Sequence, residues 1–358
     1  MRIVRYYPRA VVGDGGMTGA VRRWCRELTE AGADVTIAYD RGEAAGDDGL
    51  VRLVKVEHRG PRRLRAPRSL KEIFAAADLV VLHSGWTLNN IRAGQVARSL
   101  GVPYLLEPRG AYDPHIVARK RALKKAWWAA AERKLVMGAR AIHVFFDQER
   151  AHLRAIGYHG RVVVAPNGGD PYEGPSRNGD GDGYLLWLGR FDPYHKGVDL
   201  FLHGLRLAAL STPVEVRLHG PDWRRKKSRI RRSVAELGLS DRVVVGEPVY
   251  GDAKRELLRK ARGFVYPSRW DACPNAVLEA AGMGLPVLCT PYPLGQYLAA
   301  RGGAVLSGPS PIDLAEGVSR MIEPGAEAIG RRAAEVVRED FAWRVVAKSW
   351  LEQVEAAL

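Results

Sequence analysis

Cysteine is scarce in this chain: 3 among 358 residues, Cys25, Cys273 and Cys289, far apart and never as C-x-x-C. That pattern excludes a disulfide scaffold and a cysteine zinc site, and it suits a reducing compartment. Long apolar runs are missing as well; none approaches the roughly 18 residues of a membrane-spanning helix. The first residues run into a strand-like Arg2-Ile3-Val4 with no apolar leader core behind them, so no signal peptide is expected. The expectation is a cytoplasmic protein, at most peripheral at the inner membrane face. Acid is in deficit: 40 Asp and Glu against 55 Lys and Arg leave a net charge of +15. An anionic partner or surface follows from that imbalance, though not its kind.

What is present reads as α/β. A chain of this length forms two domains with sizeable cores more readily than one. Met1–Arg5 predicts a strand and Val12–Thr18 a glycine-rich loop. Gly19–Ala31 follows as an amphipathic helix carrying Val21, Trp24, Cys25 and Leu28, and Val35–Tyr39 as a second strand. That is a Rossmann-like opening, but its glycines do not match G-x-G-x-x-G, so a dinucleotide cofactor is not expected. Asp78–His83 and Val102–Leu106 are continuous apolar runs, as buried parallel strands are. Function gathers at the carboxyl ends of such strands, here at His83 and at Glu107–Asp113. Ala118–Val136 predicts one basic helix with Trp127 and Trp128 on its apolar side, suited to docking on the sheet or to a membrane interface.

Between Tyr172 and Gly183 the composition turns to Gly, Pro, Ser and Asp, a linker signature. Two domains are therefore expected, 1–172 and 173–340, with an amphipathic closing helix in 341–358. In the second, the strand Tyr184–Leu188 runs into Gly189-Arg190-Phe191-Asp192-Pro193-Tyr194-His195-Lys196-Gly197, which places two cations at a helix start and is not a Walker A loop. Farther on, Tyr266–Thr290 reads as strand, bend, helix and buried strand. Pro274 suits a helix start, and the free N–H groups of that first turn favour an anion. Asp271 lies just before the helix and Glu279 more than a turn inside it. Hydroxyl acceptors therefore flank a phosphate-friendly backbone at Ala272, Cys273, Pro274 and Asn275.

This stretch resembles the acidic-x7-Glu element of the family-4 (GT4-type) retaining glycosyltransferases of GT-B fold, with Asp271 where those enzymes usually carry the first Glu. The similarity covers nearly the whole chain and is strongest from 184 to 290. It implies two Rossmann-like domains with a facing cleft, the first binding the acceptor and the second the donor, and a C-terminal helix crossing back to the first. It implies that Arg190 and Lys196 hold the diphosphate of a nucleotide sugar and that Glu279 binds the ribose. Asp271 and the backbone at 273–275 would then hold sugar hydroxyls and phosphate, and Gly15 and Gly16 would approach the donor phosphate or the acceptor. Glu247, Pro248 and Val249 fall where the family's nucleobase loop lies. Two cations neutralise a leaving diphosphate without Mg2+, so neither metal nor cofactor is expected. Glu107–Asp113 resembles the PRG-type loop of one subgroup. Arg109 stands there where many relatives place a His, with His83 and Tyr112 as further acceptor contacts.

The implied activity is retaining, metal-independent sugar transfer to a hydroxyl acceptor. That acceptor can be a polysaccharide, a lipid-linked sugar, a small metabolite or an anionic molecule. Two other readings stay open. One is a sugar-nucleotide-binding protein without activity, suggested by Asp271 and the missing His. The other is a basic membrane-surface or nucleic-acid-binding protein, suggested by the runs at 59–68 and 224–232. No aromatic residues interleave the second run, which argues against nucleic acid.

Overall fold

The computed structural model describes residues 1–11, 15–42, 49–59, 66–67, 69–172, 183–208 and 214–358. Most of the arginine-rich run at 59–68, most of the linker and part of the first glycine-rich loop lie outside them. The chain divides into two units, Met1–Asn167 with Trp343–Leu358, and Gly168–Ala342. The sequence reading carried the first unit to residue 172. The division falls earlier because Gly169 N–H donates to the Phe341 carbonyl and Tyr172 N–H to that of Gly282, both in the second unit.

The first unit is built on β1 (Arg2–Ala10), β2 (Asp34–Arg41), β3 (Arg52–Lys55), β4 (Leu79–His83), β5 (Tyr104–Glu107), β6 (Ala141–Val144) and β7 (Val162–Val164). They form one sheet in the order β3-β2-β1-β4-β5-β6-β7, parallel throughout. The order reverses beside β1, the switch point where open α/β sheets bind ligands. The helix Gly16–Glu30 covers one face with Val21, Trp24, Cys25 and Leu28, and the closing helix Trp343–Ala357 adds Trp343, Val346, Trp350 and Val354 to the same core. Each of these fully buried large side chains contributes about 1.5–3 kcal/mol relative to exposure, so the closing helix is integral to this unit.

The single helix expected over Ala118–Val136 is not continuous. Lys120 takes a left-handed backbone (φ 57°), and the helix widens to a π turn at Trp128–Glu132 before resuming at Arg133–Met137. Glu132 explains the widening. Its buried carboxylate accepts from the Trp86 N–H (2.8 Å), the Tyr112 hydroxyl (2.8 Å) and the Trp127 indole (3.0 Å). Extra backbone in one turn aims this carboxylate inward.

The second unit is a sheet of β8 (Tyr184–Leu188), β9 (Val216–His219), β10 (Val243–Gly246), β11 (Ala261–Tyr266), β12 (Val287–Cys289) and β13 (Val305–Leu306), in the order β10-β9-β8-β11-β12-β13 and again parallel. Its switch point lies between β8 and β11, whose carboxyl ends carry Arg190 and Asp271. Close packing fixes those ends. Gly197 has a φ of +66°, and an added Cβ would meet the Pro267 carbonyl oxygen at 1.7 Å. Only glycine fits there. No described helix is long and apolar enough to cross a membrane.

Candidate functional site

At the end of β8 the chain turns through Arg190 into a short helical turn, Pro193–Lys196. The Lys196 ammonium reaches the end of β11, donating to the Tyr266 hydroxyl (2.7 Å) and to Asp271 Oδ2 (2.5 Å). Tyr266 also donates to Asp271 Oδ2 (3.0 Å), and the Ala272 N–H donates to Oδ1 (3.1 Å). Burial pushes the Asp271 carboxyl upward, but the neighbouring Lys196 and His195 and these hydrogen bonds leave it below its ordinary range. Desolvation draws the Lys196 ammonium down and Asp271 opposes that. The result is a closely held cation and anion with the Asp271 side chain still 22% exposed.

Arg190 is held by a second device. The His195 ring stacks on Trp270 at 4.4 Å and 7°, and its Nε2 lies 2.9 Å from the Trp270 carbonyl. That oxygen can only accept, so Nε2 carries the proton and Nδ1 accepts from Arg190 Nη2 at 3.0 Å. Desolvation, with Lys196 next, lowers the His195 pKa to about 3, so the ring stays neutral as this arrangement requires. The indole of Trp223 lies under the Arg190 guanidinium, 4.8 Å from ring to Cζ. We expect His195→Leu to lower kcat by roughly tenfold, the value of one charge-assisted hydrogen bond, and His195→Asn, which returns an acceptor, to recover most of it. Steady-state rates on purified variants of matched melting temperature check this.

The helix expected from Asn275 runs Asn275–Gly282, with Pro274 at its cap rather than inside it. Glu279 projects from it to the ammonium of Lys254 (2.7 Å) on the helix Gly251–Lys260. Ala272 and Cys273 are buried beside Asp271. After β10, Glu247 is 77% exposed and ion-paired with Lys227, while its carbonyl takes His219 Nδ1 (3.0 Å). Pro248 and Val249 continue this loop toward the helix at Gly251. Arg190, Lys196 and Asp271 are thus drawn to one sheet end, with Glu279 held by Lys254. His195, Trp223, Tyr266 and Lys254 were not foreseen, because only the folded contacts reveal them.

The first unit gathers its own residues at the ends of β4 and β5. Gly15 caps the helix Gly16–Glu30 with φ 71° and ψ −151°, a conformation essentially limited to glycine. Ser84, Trp86 and Arg109 all take left-handed backbone, with φ of 77°, 61° and 51°. Such backbone in non-glycine residues costs about 1–3 kcal/mol and persists where the surrounding structure over-determines it. His83 and Tyr112 do not stand open as acceptor contacts. His83 is fully buried, with Nε2 accepting from Arg5 Nε (3.2 Å) and Nδ1 facing Glu107 Oε2 (3.3 Å). Tyr112 is buried with its hydroxyl committed to Glu132. Arg109 remains, its guanidinium 2.6 Å from Glu107 Oε1 and 5.6 Å from the Phe145 ring centre.

Comparison with known proteins bears on both units. Residues 15–168 match the family model described as "Glycosyl transferase 4-like domain", and residues 182–324 the model "Glycosyl transferases group 1". An "MMP alpha-(1->4)-mannosyltransferase" of Mycolicibacterium hassiacum is 25% identical, with 100% of this chain and 98% of that protein covered. A "GDP-mannose:cellobiosyl-diphosphopolyprenol alpha-mannosyltransferase" of Xanthomonas oryzae is 24% identical over 85% of this chain and 81% of its own length. Among solved structures, Anabaena HepE in complex with UDP and glucose superposes with a TM-score of 0.78 at 15% identity, covering 99% and 100% of the two chains. Sucrose-phosphate synthase from Thermosynechococcus elongatus gives 0.77 at 19% identity, with both chains covered completely. The chain belongs to the GT4-type glycosyltransferases of GT-B fold.

Proposed function

We propose that this glycosyltransferase moves a sugar from a nucleoside-diphosphate donor to a hydroxyl acceptor, with retention of anomeric configuration and without a metal. The observation that carries the reading is the Lys196–Asp271 ion pair, with Arg190 held by His195, at the switch point of the second sheet. Arg190 and Lys196 offer two cations to a diphosphate, and their stabilisation grows as charge develops on the leaving group. Asp271 takes sugar hydroxyls and Glu279 ribose hydroxyls, the latter with its carboxylate aimed by Lys254. Glu247, Pro248 and Val249 line the base, and the chain at Gly15 and Gly16 approaches the donor phosphate or acceptor. Similar proteins support this reading: GDP-mannose stands in the name of the Xanthomonas transferase, and HepE was solved in complex with UDP and glucose.

Retention is what the family resemblance implies, and the state of Asp271 bears on its route. Its oxygens already accept from Lys196, Tyr266 and the Ala272 N–H, so it is poorly placed to act as the nucleophile of a double displacement. The acceptor hydroxyl then attacks from the side the diphosphate leaves, giving up its proton to a departing phosphate oxygen. The test is turnover with a panel of nucleotide sugars in EDTA, with the product anomer read by proton NMR. The expected result is undiminished turnover and a product of the donor's configuration. Turnover that needs added Mg2+, or an inverted product, contradicts the proposal.

A further inference from the structure

A buried charge cluster at the carboxyl ends of β1, β4, β5 and β6 is not neutral. Arg5, fully buried, donates to Glu107 Oε2 at 2.5 Å and lies between the rings of Trp24 and Trp350. Arg109 faces the other oxygen of the same carboxylate at 2.6 Å, and this pair falls short of hydrogen-bond geometry. Two guanidinium groups therefore share one carboxylate. Among the described residues, the other groups facing the cluster do not restore the balance. His83, with a pKa lowered to about 4 chiefly by burial, is neutral, and burial keeps the Cys25 thiol protonated by raising it to about 12. His143 gives its Nε2 to the Ala165 carbonyl (2.8 Å), and its Nδ1 takes the Trp350 indole (3.3 Å). The Tyr7 ring meets His83 edge-on at 6.0 Å.

Two donors and one acceptor, Glu107 Oε1, lack hydrogen-bond partners here, so donors are in excess. Arg5 Nη1 and Arg109 Nη2 are buried without a hydrogen-bond partner. Arg109 Nε reaches His83 Nδ1 at a long 3.5 Å. A buried excess charge with unsatisfied donors is costly unless something compensates it.

We infer that Arg109 receives an anionic group, a phosphate or a carboxylate, carried by the sugar substrate that the first unit binds. The inference rests on the proposed sugar transfer and deepens it by naming the substrate's charge. A planar fork of N–H donors beside an uncompensated charge suits an oxyanion and leaves a neutral hydroxyl as a poor substitute.

The test uses the full chain and thermal shift with glucose, glucose 6-phosphate and D-glucuronate, each against sodium chloride of equal ionic strength. Glucose 6-phosphate, D-glucuronate or both raise the melting temperature of the wild type, and glucose does not. Arg109→Gln abolishes that rise, and Arg109→Lys, which keeps charge but loses the fork, weakens it at least threefold in apparent affinity. The lysine variant decides the matter if the glutamine variant does not fold. Which of the two anions acts identifies the phosphate or the carboxylate source. Equal responses in wild type and variants, or none to either anion, overturn the inference. Loss of nucleoside-diphosphate binding on Arg109→Gln without any response to the sugar anions also overturns it, and assigns the charge to the donor. Nucleotide binding that is intact in the wild type and lost in Lys196→Met keeps the sugar-transfer reading standing in any of these cases.

Discussion

Lys196→Met is expected to lower kcat by roughly 10²–10³-fold, the usual cost of removing one preorganised group that stabilises developing charge. The reason lies in what the ammonium touches. It is the ion-pair partner of Asp271 among the described residues and donates to Tyr266 besides, so on the proposed reading it orders the sugar-facing carboxylate as well as meeting the diphosphate. Methionine keeps most of the volume of the lysine stem and removes the charge. The fold is expected to survive, since Tyr266 and the Ala272 N–H still hold Asp271 and its carboxyl remains partly exposed. Lys196→Arg keeps the charge with a different reach and should fall between. Rates within threefold of wild type in the methionine variant, at unchanged melting temperature, contradict this role.

Glu107→Gln is expected to destabilise the protein by about 3–5 kcal/mol, the cost of stripping a buried charge of its partner. The carboxylate sits between Arg5 and Arg109 and 3.3 Å from His83 Nδ1 and 3.4 Å from His143 Nδ1. Its own pKa shows the balance. Burial pushes it up, yet Arg109, His83 and Arg5 bring it well below the ordinary carboxylate range. Glutamine is nearly the same size, so the loss measures charge and not a cavity. Replacing Arg109 by Gln in the Glu107→Gln background should recover stability, because it removes one of the two unpaired guanidinium groups. Urea unfolding of the single and double variants measures both effects. Additive losses would mean that the two residues do not interact.

Legibility in the sequence followed the distance between partners along the chain. The apolar runs and glycine turns specified two parallel-sheet units because strand and helix periods are local. The closing helix could be assigned to the first unit only from the family resemblance, since its stripe of Trp343, Val346, Trp350 and Val354 says that it has to be covered and not by which unit. Arg190 and Lys196 stand six apart and Asp271 and Glu279 eight apart, so each pair could be read as belonging to one loop or one helix entry. What joins the pairs could not. Lys196 meets Asp271 across 75 residues, and Arg5 meets Glu107 across 102. His83 illustrates the cost: its place at a strand end pointed to a ligand, but a glutamate and an arginine from neighbouring strands had already claimed both ring nitrogens. The break in the basic helix was hidden for the same reason, since it depends on Glu132 finding Trp86 and Tyr112.

The most direct measurement of the central claim is calorimetric titration of the full chain with UDP, GDP, ADP and dTDP in EDTA, on the wild type and on Glu279→Ala. If the second unit holds a nucleoside diphosphate by two cations and a ribose-facing carboxylate, one nucleotide binds without metal. The variant then loses roughly tenfold or more in affinity, about 1.4 kcal/mol. Equal affinity in both proteins, or no binding of any of the four to the wild type, contradicts the account.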